Sequence, residues 1–73
     1  MPPLPVLSGR EVVRVFAALG WDVARRRGRH IVLAKDGHLA TLFVPDHRIV
    51  AKGTLRSPIR AANVTVEELL AAR

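Results

Sequence analysis

The chain contains no cysteine, so neither disulfides nor thiolate metal ligands can supplement its core. That absence fits a reducing interior. Tyrosine is also missing, and Phe16, Trp21 and Phe43 are the only aromatics, which leaves few faces for stacking. Acid is scarce: six Asp and Glu stand against twelve Lys and Arg, for a net charge of +6, and the isoelectric point is about 11.6. Such an excess in a small domain favours a polyanionic partner, nucleic acid being the commonest, over a merely solvated basic surface. Ten of the cations are arginine, whose planar fork suits bidentate phosphate contact. No apolar run approaches the roughly 18 residues needed to span a bilayer. The proline-rich start lacks the charged and apolar regions of a secretory signal, so the expected location is the cytoplasm.

What is present fits one domain over residues 1–73, near the lower size limit for an unstapled core. Met1 to Pro5 holds three prolines and reads as an extended lead-in. Ser8 and Glu11 form a capping box, with Leu7 and Val12 at the staple positions. Val12, Val13, Phe16 and Leu19 then mark one helical face, and Gly20 ends the helix. Trp21 to Arg27 alternates loosely, with Trp21 and Val23 on one side, and reads as a strand ending in charge. Gly28-Arg29 is short enough for a tight connection.

His30 to Lys35 and His38 to Val44 read as two further strands, joined at Asp36-Gly37 by the dipeptide that a type I′ turn prefers. Counting back from that turn places Lys35 opposite His38, Leu33 opposite Ala40, Ile31 opposite Leu42 and His30 opposite Phe43. Ile31, Leu33, Ala40 and Leu42 would form the face under the helices. His30, Val32, Ala34, Leu39, Thr41 and Phe43 would form the other, a mixed patch of the kind that meets a protein partner.

A second helix is expected from about Gly53 to Ala62, starting near Thr54 and distorted by Pro58, unless Ser57-Pro58 is its N-cap and first residue. Asn63 stops it. Thr65 and Glu68 make a second capping box, with Val66, Leu69 and Leu70 on the buried side of a last helix. The class is α+β, in the order α-β-β-β-α with the final helix split.

Several stretches follow one another in a set order: Leu4-Pro5 before Ser8-Gly9-Arg10-Glu11, the Leu19-Gly20-Trp21 corner, Arg27-Gly28-Arg29-His30, Asp36-Gly37, Val44-Pro45-Asp46-His47, and Lys52-Gly53-Thr54-Leu55-Arg56 with Arg60 a turn later. In that order they resemble the HicA-like toxins. The resemblance implies a double-stranded-RNA-binding-like fold with a three-stranded antiparallel sheet and helices on one face. It implies a ribosome-independent endoribonuclease acting on mRNA, inhibited by a HicB-like antitoxin, with its catalytic histidine at His30. The chain departs from the family pattern at Arg29, where Ser is common, at Asn63, where Gly is usual, and at Pro58. Val32 and Ala34 make the outer hairpin face less basic than in many relatives.

Metal-free cleavage of RNA needs a base for the ribose 2′-OH, a cation for the developing phosphorane charge, and an acid for the leaving oxygen. Histidine, with an ordinary pKa of about 6.5, serves as base or acid near neutrality. His30 stands beside a glycine and close in sequence to Arg25, Arg26, Arg27 and Arg29, which can carry the charge. The competing reading is a strand-end surface histidine. Alternation separates Arg25 and Arg27 from Arg26, so not all can face one phosphate path; charge on an edge strand also guards against unwanted pairing.

Gly28 lets backbone come close. His47 is either a second acid or RNA contact, or a residue that pins its loop. Lys52, Arg56 and Arg60 line one basic stripe of the second helix, and Lys52-Gly53-Thr54 at its start can receive a phosphate or serve only as a cap. Val32, Leu39, Thr41 and Phe43 are the residues expected to face the antitoxin. The histidine spacings of 8 and 9 residues fit no common zinc site, and neither metal nor cofactor is implied. The alternative to a nuclease is a non-catalytic RNA-binding module of the same fold.

Overall fold

The computed structural model describes residues 3–73; of the expected lead-in, Met1 and Pro2 lie outside this span. The order is α1 (Gly9–Ala18), β1 (Asp22–Arg27), β2 (His30–Ala34), β3 (Leu42–Pro45), α2 (Lys52–Ala62) and α3 (Val66–Ala71). The sheet is antiparallel with strand order β1-β2-β3.

α1 forms where the capping box requires. Ser8 Oγ accepts from the Glu11 N–H at 3.1 Å, and the Glu11 carboxylate accepts from the Ser8 N–H at 3.0 Å. The helix closes through the N–H groups of Gly20 and Trp21, which donate to Ala17 and Phe16 carbonyls at 3.0 Å each. Gly20 supplies the required φ of +96°. Lys35 Nζ adds a bond to the Leu19 carbonyl at 2.9 Å, tying the β2 end to the helix end.

One face of the sheet is dry. Ile31, Leu33, Leu42 and Val44 pack with Val12, Val15 and Phe16 of α1, Leu55, Ile59 and Ala62 of α2, and Val66 and Leu69 of α3. Leu4, Leu7, Trp21 and Val50 complete this core from outside the regular elements. Each such side chain removed from water is worth about 1.5–3 kcal/mol, and this supports helices too short to persist alone.

The β2–β3 connection differs from expectation. The partners are His30 with Pro45, Ile31 with Val44, Val32 with Phe43 and Leu33 with Leu42, two residues away from the expected register. β3 is accordingly Leu42–Pro45 rather than His38–Val44, and β2 ends at Ala34. A turn does form at Asp36-Gly37, with the His38 N–H donating to Lys35 at 3.1 Å. Only Gly37, at φ +82°, is left-handed there, whereas type I′ needs positive φ at both central residues. The strands therefore part after the turn, and residues 38–41 form a loop. Because the shift is two residues, each β3 side chain keeps its expected face. Gly28-Arg29 is the tight connection expected there, a two-residue hairpin between the partners Arg27 and His30. Gly28 at φ +57° fits the first central position of a primed turn.

α2 begins at Lys52, two residues before the expected Thr54, and carries Pro58 inside it. Ser57-Pro58 is not its start. Pro58 is buried with Leu55, Ile59 and Ala62, so apolar packing offsets the missing N–H. Asn63, at φ +57°, takes the left-handed closing position. Thr65 and Glu68 form the second capping box at 2.9 and 3.0 Å. The result is the α-β-β-β-α order with a one-sided helical layer, the last helix in two pieces.

The segment after β3 is stitched to three neighbours. The Asp46 N–H donates to the Arg29 carbonyl at 2.7 Å, the Gly9 N–H to the His47 carbonyl at 2.8 Å, and the Val50 N–H to the Leu7 carbonyl at 2.7 Å. Gly9 is required by this closeness, since a Cβ there would collide with the Pro45 carbonyl oxygen.

Candidate active site

Simple alternation would set Arg25 and Arg27 on the same face as Val23. A β-bulge prevents it. Val23 pairs with Leu33, but past Ala24 the partners become Arg25 with Val32, Arg26 with Ile31 and Arg27 with His30. The extra residue turns Arg25 and Arg27 away from the helices while Val23 stays on the helical side, at its uncovered rim. Val23 is 55% exposed there, so it does not share the burial of Trp21.

Two cross-strand rows result on the face that carries no helix. One runs Arg25, Val32, Phe43; the next runs Arg27, His30, Pro45. His30 is exposed at the start of β2, and its ring lies 6.4 Å from that of Phe43, inclined at 66°. The Arg29 carbonyl beside it receives the Asp46 N–H, so the backbone that carries His30 is held on both sides.

Arg26 points the other way. Its guanidinium donates to the Asp46 carboxylate at 2.8 Å, and Arg10 lies 3.8 Å from the second carboxylate oxygen. The Arg26 hydrogen bond, aided by the charges of Arg26, Arg10 and His47, holds the Asp46 carboxyl below its ordinary 3.8 against the opposing effect of burial. His47 is exposed two residues beyond the partner of His30, in a shallow cleft with Ser8, Arg10, Asp46 and Arg48. His38 packs edge-on against Trp21 at 5.2 Å between ring centres, apart from this cluster.

Lys52, Thr54, Arg56 and Arg60 are exposed on α2. Arg56 and Arg60 line a groove with Gly53, Ser57 and Ala61. This stripe belongs to the helical layer and is not brought together with His30. Among the four residues expected to face a protein partner, Phe43 alone is both exposed and on the strand face. Val32 has no exposure at all, Leu39 is fully exposed in the 38–41 loop, and Thr41 is half-buried there. The patch is smaller than the expected register implied.

Residues 9–64 match the sequence model of the family described as HicA toxin of bacterial toxin–antitoxin. The chain belongs to the HicA toxin family. No curated protein and no solved structure matches it. The HicA match starts at the first residue of α1 and ends just past α2, so it contains the whole sheet and the His30 rows, and leaves α3 outside. Two residues of this HicA domain carry more structure than their local sequence signals. Gly9 docks the helix start on β3, and Asp46 joins Arg26 twenty positions away in sequence. Only a three-dimensional neighbour gives either residue its role.

Proposed function

We propose that this HicA-family chain is a metal-independent endoribonuclease that cleaves mRNA in the cytoplasm and is neutralised by a HicB-like antitoxin. The observation that carries the reading is His30, exposed on the uncovered face, with Arg27 beside it in one row and Arg25 in the next. Neutral His30 takes the proton of a ribose 2′-OH. The freed oxygen attacks the adjacent phosphorus, and Arg25 and Arg27 stabilise the added charge. The 5′ oxygen leaves with a proton from water, or from His47 acting as acid. The products end in a 2′,3′-cyclic phosphate and a 5′ hydroxyl.

Arg29, at the turn with Gly28, extends the phosphate path. Lys52, Thr54, Arg56 and Arg60 offer a second stretch of backbone contact on α2. Arg26 is engaged by Asp46 and contributes less to RNA than its neighbours do. The antitoxin covers Phe43 and the Leu39–Thr41 loop, with Val32 the floor beneath them. Expression of the wild type in a bacterial host without antitoxin is expected to arrest growth, and His30→Ala to relieve the arrest. Equal arrest by both would overturn the assignment of His30.

A further inference from the structure

We infer that Phe43 is a stacking platform for one nucleobase next to the cleaved phosphate, and so a determinant of where this chain cuts. The inference rests on the RNA reading above and adds the group that meets a base. Phosphate contacts position a strand but carry no sequence information; bases are read at their edges, and stacking holds one base in place with a modest preference for those that stack strongly. Arg25, Arg27 and Arg29 are suited to phosphate. Phe43 differs from them in chemistry, and it stands on the same face.

The composition narrows the choice. The chain has three phenyl or indole side chains, and Phe16 and Trp21 are buried at 0% and 2% exposure, whereas Phe43 keeps 42%. Among the phenyl and indole rings it is therefore the one that a base can reach, the exposed imidazole of His30 being assigned to the proton transfer. Its setting is also particular. Across its row lie Val32, fully buried, and then Arg25; its ring stands 6.4 Å from that of His30, diagonally in the next row.

Strands lie about 4.8 Å apart, so the row spans about 10 Å from Arg25 on β1 to Phe43 on β3. A single strand laid across it sets backbone over the β1 arginines and His30, and turns a base toward β3. The steep angle between the Phe43 and His30 rings means that they do not stack on one another, and the exposed part of Phe43 is free for a base.

A cover over Val32 would account for an apolar residue at this position, and the test must separate that from stacking. Phe43→Leu keeps the cover and the strand fit but removes the π face. Phe43→Trp enlarges that face. Both are made in the His30→Ala background, so that RNA stays intact. The probe is a set of single-stranded oligoribonucleotides with 2-aminopurine at successive positions, followed by fluorescence and by titration.

The parent is expected to quench the probe at one position. Phe43→Leu should abolish that quenching and weaken binding about 5- to 150-fold, the range for loss of one base–aromatic stack, while Phe43→Trp should retain it. In the nuclease itself, Phe43→Leu should redistribute the cleavage sites. Unchanged affinity, quenching and cleavage sites in Phe43→Leu would overturn the inference and leave the RNA reading standing. The same result with weaker antitoxin binding would overturn the inference too and leave Phe43 to the protein partner alone. No RNA binding by the parent would overturn both.

Discussion

The Arg26 guanidinium donates to the Asp46 carboxylate across 2.8 Å and ties the first strand to the segment that follows the third. The same aspartate gives its N–H to Arg29, the residue before His30. One residue thus holds the turn that presents the candidate catalytic histidine.

This arrangement has an acid limit. The folded Asp46 carboxyl lies below its ordinary 3.8, so its stabilising effect is complete above that value and disappears as pH falls through the lower, folded value. Asp46→Asn should therefore lose stability at neutral pH and lose less, relative to wild type, as pH falls below 3.8. Urea denaturation at pH 7 and pH 2.5 measures the gap. A gap that stayed the same at both would contradict the role given to the carboxylate.

Arg25 and Arg26 are neighbours with opposite expected effects. Arg25 shares the His30 face, while Arg26 is occupied by Asp46. In the His30→Ala background, Arg25→Ala should weaken RNA binding and lower the slope of log affinity against log salt by roughly 0.7–1. Arg26→Ala should leave the slope nearly unchanged and lower the melting temperature. Equal slopes for both variants would contradict the division made by the bulge.

Much of this architecture was legible in the sequence. Both capping boxes, the helix stop at Gly20 and the burial of Ile31, Leu33 and Leu42 follow from local chemistry and period. The bulge at Ala24 does not, because Ala carries no turn signal, yet it decides which face Arg25 and Arg27 take. The register of β3 was hidden for a related reason. Asp36-Gly37 signals a turn, but whether the strands resume pairing at once depends on the φ of Asp36, which the sequence leaves open. A two-residue shift keeps faces and changes partners, so His30 meets Pro45 across the sheet and meets Phe43 only along the diagonal. Leu4 and Val50 joined the core from segments that have no periodicity to reveal them.

Gly9 is a point of no tolerance. Any side chain there meets the Pro45 carbonyl, and the Gly9 N–H is bonded to His47. Gly9→Ala should cost about 1–3 kcal/mol, as overpacking against fixed backbone does, even though alanine is the better helix former. Chemical denaturation checks it; a stabilised Gly9→Ala would show that α1 docks differently.

Asn63 should respond in the opposite sense. Its φ of +57° suits glycine, and any side chain with a Cβ is strained there. Asn63→Gly should hold or raise stability, and Asn63→Ala should lower it by about 1 kcal/mol. Thermal melts of the pair decide the matter, and the reverse order would place the helix end elsewhere.

The central claim is tested most directly by incubating purified wild type and His30→Ala with a long mRNA in EDTA and resolving the products on a gel. Cleavage by the wild type alone, leaving cyclic phosphate ends, is the predicted result. Equal cleavage by both proteins, or intact RNA with both while binding persists, would contradict it.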